Sequence, residues 1–390
     1  MPNRNRTTYQ SQSLLIGPPV STGQHFTQFG AESIYTGANL LTGFYRIQNC
    51  NYSFNVGRTP VMQFGETAAI DRVILDTPTV GLSFSYLLAN FWNERQLGFV
   101  TDGRLPALSG ITKGLTDDRN YFLKVVAEGV DAVGDTEDSS NVFVVGFGNG
   151  FLTSYSSSAA VNSFPSVDIS VAALNMTFAT GLSGKSPAIF PDNGTRVSQY
   201  HYVIPTILSS PGTGLLDISV LRPGDITLDF RKRDAVDEGI LENATGVYDV
   251  PGTNIGNANI QSYSLSFDLG REALQKLGSK YAFARTITYP IDVSLTVDAL
   301  VGDLTTGSLS DMVNGDDSFD VTINIKKPVA PGDPQPVMAR YVVKNAKINS
   351  HSYSNGIGDN KTVTMEFAAQ IGGPNQTTVG LFMSGVTTVQ

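Results

Sequence analysis

Two blocks of this chain repeat each other without a gap. Residues 47–58, IQNCNYSFNVGR, align with residues 260–271, IQSYSLSFDLGR, at an offset of 213, and six of the twelve positions are identical. Chance would give fewer than about one. The longer block, 47–88 and again 260–304, reads as strand, short crossover, strand. A second pair follows: residues 165–173 match 361–369 at an offset of 196, and Leu152, Ser154 and Ser156 match Ile348, Ser350 and Ser352 at the same offset. The fall from 213 to 196 puts seventeen extra residues into the first copy, and the loop region 93–136 is where they fit. A chain that repeats one pattern in this way is expected to fold as two related units in tandem, from an internal duplication.

A length of 390 residues suits two units, each able to bury its own core. Charged residues are only 16 %, while Gly, Ser, Thr and Asn abound, which suits an all-β, β-rich protein with short helices and large contact surfaces. A net charge of −9 argues against a grip on nucleic acid, because neutralising phosphates needs clusters of Lys and Arg. Such a surface suits DNA that must slide past without sticking. The single cysteine, Cys50, excludes an intrachain disulfide and reads as a small buried thiol on a strand. Neither an apolar leader nor a run of eighteen apolar residues is present, so neither secretion by a signal peptide nor a membrane span is expected.

Alternation of apolar and polar residues divides the chain. Residues 1–43 read as a polar N-terminal arm, with a short strand at 33–36. Residues 44–182 read as the first β domain, 183–258 as a structured connecting segment, and 259–390 as the second β domain with a C-terminal interface segment. In the first domain, strands are expected over 44–55, 78–88, 121–127, 141–146, 152–157 and 167–178, with a long loop at 93–118 and an acidic hairpin turn at 128–140. The segment 59–72 is a crossover that has room for a helical turn. The connecting segment is rich in proline yet too apolar for a free linker, and carries strand-like runs at 199–207, 216–220 and 226–230. It should correspond in part to the N-terminal arm. In the second copy, 271–278 supports two helical turns with Leu274 and Leu277 inward, and strands follow at 291–300, 317–327, 337–344, 346–354 and 361–371.

Motifs that suggest chemistry fail on context. Ala179–Ser186 fits a loose phosphate-loop pattern, but Pro187 follows at once and denies the helix whose amides would cradle a phosphate. Gly146–Gly150 lies between strands and reads as a turn or bulge. His25, His201 and His351 lie far apart, in no metal-ligand spacing. No nucleophile–base or paired-carboxylate arrangement emerges. The chain is therefore expected to be no enzyme, and to use no cofactor or metal.

One pattern does bear on function. The four strands matched by the repeat each have a strongly apolar face and an opposite face of small hydroxyls and carboxylates. That polar face includes Ser83, Ser85, Asp168, Ser170, Asp292, Ser294, Thr296, Asp298, Thr364 and Glu366, with no Lys or Arg. A plain solvated sheet face is one reading. A smooth, weakly negative wall that repels polyanions over about 8–10 Å is the other.

Gly270-Arg271, then Leu277-Gly278, then Pro290-Ile-Asp-Val-Ser-Leu-Thr-Val and the late strand Lys-Thr-Val-Thr-Met-Glu-Phe at 361–367 form an ordered set. The first copy has the related Gly57-Arg58, Phe64-Gly65 and Pro78-Thr-Val-Gly-Leu-Ser-Phe. In this order the chain resembles the tail tube (major tail) proteins of long-tailed bacteriophages, over about residues 44–178 and 260–382. The resemblance implies two tandem tail-tube-type β-sandwich or barrel domains that pack into rings stacked around a DNA channel. Most members carry one such domain and form hexamers, so a duplicated chain would close a pseudo-hexameric ring with three copies. The ten polar residues above would face the lumen, and 93–118, 128–140 and the arm would make contacts between rings. Implied partners are further copies of the chain, tape-measure, tail-terminator and tail-tip proteins, and viral DNA passing non-specifically, with no membrane. The implied location is the virion tail, after synthesis in the host bacterial cytoplasm. The alternative is a β-sandwich tail-tip or receptor-binding virion protein.

Overall fold

The computed structural model describes residues 8–19, 41–75, 78–112, 117–133, 142–180, 221–232, 259–275, 277–278, 284–300, 318–328, 335–354, 362–373 and 375–385. The expected strands at 33–36, 199–207 and 216–220, the histidines His25 and His201, and most of the 128–140 and 179–186 segments lie outside them.

The chain is all-β, with two short helices. The first half contains β1 (Gln12–Pro19), β2 (Thr42–Gly43), β3 (Ile47–Asn55), β4 (Thr59–Val61), β5 (Asp71–Val73), β6 (Thr79–Leu87), α1 (Trp92–Leu97), α2 (Ser109–Thr112), β7 (Asp118–Val125), β8 (Phe143–Ala160), β9 (Ser166–Ala173) and β10 (Asn175–Thr180). The second half contains β11 (Ile226–Lys232), β12 (Asn259–Asp268), β13 (Arg271–Leu274), β14 (Ala284–Ile287), β15 (Asp292–Leu300), β16 (Phe319–Lys326), β17 (Val337–Ser354), β18 (Thr362–Gln370) and β19 (Gly380–Gly385).

Strand register repeats between the halves, bulge for bulge. In the first, β6 lies between β3 and β9, with Phe54 opposite Val80 and Val80 opposite Ala173. In the second, β15 lies between β12 and β18, with Phe267 opposite Val293 and Val293 opposite Ala369. A bulge between Ile47 and Asn49 recurs between Ile260 and Ser262, and one between Leu152 and Ser154 recurs between Ile348 and Ser350. β11 pairs with β16 in the place where β1 pairs with β7. Residues 12–19 are therefore a strand of the sheet rather than part of a loose arm.

β8 and β17 are each eighteen residues long and change partners along their length: β8 pairs with β7 and β10 and then with β9 and β12, and β17 with β16 and β19 and then with β18. Sequence alternation suggested two strands in each place. Both stay continuous because an asparagine in the left-handed region turns the backbone: Asn149 at φ 50° and Asn345 at φ 59°. Asparagine tolerates that region better than most residues. A side-chain carbonyl or carboxylate on the neighbouring strand holds each bend. The Asn149 N–H donates to Asn120 Oδ1 at 2.9 Å, and the Asn345 N–H to Asp320 Oδ1 at 2.9 Å.

The crossovers differ from expectation. β4 pairs with β5 and β13 with β14, both antiparallel, with Thr59 opposite Val73 and Glu272 opposite Thr286. Two helical turns at 271–278 would be too short to hold in water, whereas a hairpin continues the pairing of the preceding strands. Gly65 and Gly278 turn the tips at φ 92° and 83°, and the adjoining Phe64 and Leu277 are fully exposed rather than inward.

The expected loop 93–118 holds α1 and α2 and straps one half to the other. Gly103 and Ala107 N–H donate to the carbonyls of Met383 and Leu381 on β19, at 2.9 and 2.7 Å. Ala107, Leu108 and Ile111 are buried in the core. Asp102 and Arg104 in the same segment are exposed. One continuous cluster of buried residues includes Phe84, Val171, Tyr155, Phe267, Leu295, Tyr341 and Phe367, drawn from both halves. Within it, Glu94 on α1 accepts from the Tyr86 hydroxyl at 2.8 Å and lies 3.3 Å from that of Tyr155. The Tyr155 and Tyr341 hydroxyls lie 2.7 Å apart, carrying the polar chain across the seam. Burial pushes the Glu94 carboxyl up to about 7, against the pull of these hydroxyls.

Candidate functional site: a polar wall shared by both halves

The two halves meet strand to strand. β12 pairs antiparallel with the C-terminal part of β8, with Ser264 opposite Ser158, Ser266 opposite Ser156 and Asp268 opposite Ser154. The result is an unbroken run of eight strands, β3-β6-β9-β8-β12-β15-β18-β17. Alternation then settles the faces. The apolar side chains enter the core, and the polar ones line one continuous wall.

All ten residues expected from sequence fall on this wall. Ser83, Asp168, Asp292 and Glu366 are exposed, and Ser170, Ser294, Thr296, Asp298 and Thr364 are half-buried. Ser85 is buried at 8 %, because Asn49 and Asp168 flank it on the two neighbouring strands. The register sets Ser83 opposite Ser170, Thr296 opposite Glu366 and Asp298 opposite Thr364.

Hydroxyls anchor two of the carboxylates. Asp298 accepts from Ser262 and from Thr364, each at 2.5 Å, and Glu366 accepts from Ser350 at 2.9 Å. These neutral donors add no positive charge to the wall. Among the described residues, the one cation at the alternating polar positions of the wall is Lys347, at its β17 end opposite Ala368.

The seam residues escaped the sequence reading. Ser154, Ser156 and Ser158 on β8, and Ser262, Ser264 and Ser266 on β12, complete the middle of the wall. Their alternation was visible, but which strands would join the halves was not. Arg271 locks the same seam. Its guanidinium lies 2.6 Å from Asp117, donates to the Leu152 carbonyl at 3.1 Å, and stacks 5.2 Å over the Phe151 ring. Cys50 is half-buried on the outermost strand β3, and burial pushes its thiol up to about 12.

Among the described residues, no group of three or more His, Cys, Asp or Glu is placed to hold a metal ion. No described helix is long and apolar enough to cross a membrane. His351 lies exposed on β17, edge-on to Tyr353 at 5.7 Å.

No family model matches the chain, and no curated protein matches it. Among solved structures, a chain from "Cryo-EM structure of the anti-feeding prophage (AFP) baseplate, 6-fold symmetrised" is similar at 13 % identity, over 42 % of this chain and 94 % of that chain, with a TM-score of 0.26.

Proposed function

We propose that this chain is a duplicated structural subunit of a bacteriophage tail tube, with no catalytic role, and that the polar wall lines a channel through which DNA passes. The observation that carries this reading is the wall itself: eight strands wide, continuous across both halves, and built from hydroxyls, amides and carboxylates with a single cation, Lys347, at its β17 edge. A wall of this kind offers a phosphate backbone little counter-charge, so counterion release, the main drive for non-specific DNA binding, is weak. Hydroxyls still wet the surface, so DNA would slide on water.

The dimensions fit. Three chains would contribute about 24 strands. At a spacing of about 4.8 Å and a tilt of about 40°, these would enclose a backbone cylinder roughly 45–50 Å across. Side chains would leave a lumen of roughly 35–40 Å, wide enough for a duplex. The exposed tips Phe64 and Leu277, on equivalent hairpins at one end of the wall, would then contact the next ring.

A receptor-binding tail-tip protein would use those same tips against a host surface and would not need a continuous wall. Negative-stain electron microscopy of the purified protein at high concentration, alone and seeded with tail-tip complexes, separates the two. Stacked rings with a central hole and threefold or pseudo-sixfold outline are the expected result. Isolated particles under both conditions would overturn the tube reading.

A further inference from the structure

We infer that the outer edge of β3 and the outer edge of the C-terminal part of β17 are the two halves of one head-to-tail interface, and that the partner is a second copy of this chain. The seam inside the chain supplies the template. There β12 meets β8, and by register β3 is the counterpart of β12 while the end of β17 is the counterpart of the end of β8. Among the described residues, β3 pairs only with β6, and residues 347–354 of β17 pair only with β18. Each chain thus carries at one side the edge that its own seam uses at the other.

Burial tells the same story. At the seam, Leu265, Phe267 and Tyr155 are buried to 3 % exposure or less. Their counterparts at the outer edges are Tyr52, Phe54 and His351. Tyr52 is 43 % exposed and Phe54 51 %, and Tyr353, the counterpart of the fully buried Ser157, is 46 % exposed. An edge strand with large apolar side chains invites another strand unless something covers it. Residues 49–55 and 350–354 hold none of the Lys, Pro or inward charge that usually prevents pairing, and Lys347 is the one such residue, at the near end of the β17 edge.

The seam also dictates the register. Ser266 opposite Ser156 becomes Ser53 of one copy opposite Ser352 of the next, and Leu265 opposite Ser157 becomes Tyr52 opposite Tyr353. Arg58, exposed here, takes the place of Arg271 and reaches the Ile348 carbonyl as Arg271 reaches that of Leu152. One element is not repeated. The counterpart of Phe151 is Lys347, so the guanidinium meets a like charge in place of an aromatic face. The contact between copies is therefore weaker than the internal seam and reversible. Because the two edges differ, the contact is heterologous, and it closes into a ring or continues as a filament.

The inference rests on the internal repeat and deepens the tube reading. The test uses full-length chains in a Cys50→Ser background, one carrying Ser53→Cys and the other Ser352→Cys. Residues directly opposite on paired strands place Cβ atoms about 4.5–5.5 Å apart, close to disulfide range. A chain with both Ser156→Cys and Ser266→Cys calibrates oxidation at the seam. The expected result is a disulfide dimer when the two single variants are mixed, and none from either alone. Replacing Ser352→Cys by His351→Cys should abolish it, because a one-residue slip turns the thiol to the other face. Dimers from one variant alone, or no mixed dimer under conditions that oxidise the seam pair, would overturn the interface. Mixed dimers without stacked tubes would leave the interface standing and sink the tube reading. Tubes without mixed dimers would do the reverse.

Discussion

The Arg271 guanidinium and the Asp117 carboxylate approach to 2.6 Å across the seam between the two halves, and the arginine side chain is only 2 % exposed. Truncating one member of a buried pair leaves the other desolvated and alone, which costs about 3–5 kcal/mol. Arg271→Ala should therefore lower the urea midpoint by an amount equivalent to about 3 kcal/mol. At the equivalent but exposed Arg58, Arg58→Ala should change stability by less than about 0.5 kcal/mol. Denaturation of both variants under one set of conditions checks the contrast. Equal losses would mean that Arg58 already has a buried role inside the single chain.

Glu94 predicts an unusual pH dependence. Its carboxyl titrates near 7 in the folded protein, against an ordinary value of 4.5, because burial disfavours the charged form. The folded state thus holds a proton that the unfolded state has released between those two values. Stability from this group is fully present below pH about 4.5 and falls as pH rises towards 7. The size is of order 3 kcal/mol, from about 1.4 kcal/mol per tenfold change in proton affinity. Glu94→Gln keeps an oxygen for the Tyr86 hydroxyl and cannot ionise. It should flatten this slope and raise stability at pH 8, as thermal unfolding from pH 5 to 8 would show. An unchanged slope would remove Glu94 as its source.

Gly150 and Tyr121 are matched in size. A Cβ on Gly150 would meet the Tyr121 ring at 2.8 Å and Val171 at 2.9 Å. In the second half, register puts Ala346 in the place of Gly150 and Val321 in the place of Tyr121. Gly150→Ala alone should therefore destabilise by about 1–3 kcal/mol through overpacking. Adding Tyr121→Val should restore part of that loss, which a double-mutant cycle measures. Strict additivity would show that the two sites do not share the space.

The all-β class and the alternating faces were legible because strand side chains alternate whatever the strand's neighbour. That is why Asp168, Asp292, Asp298 and Glu366 could be set on polar faces from residue types alone. The pairings of β4 with β5 and of β13 with β14 were not legible. Glu272, Ala273 and Leu274 carry a helical preference, and pairing with Ala284–Ile287 overrides it. Local pattern also failed at Asn149 and Asn345. A break in alternation looks the same whether the chain turns back or bends and runs on.

By itself, the sequence determined that the chain repeats one β pattern, that each strand has an apolar and a polar face, and that the polar faces of the four matched strands carry no cations. Those features are local, set by residue type and spacing. Only the tertiary structure decided that β8 and β12 join the halves into one wall, that the segment holding α1 and α2 straps them together, and that β3 and the end of β17 are outer edges among the described residues. Strand partners are chosen by burial summed over many distant residues. No short stretch of sequence contains that sum.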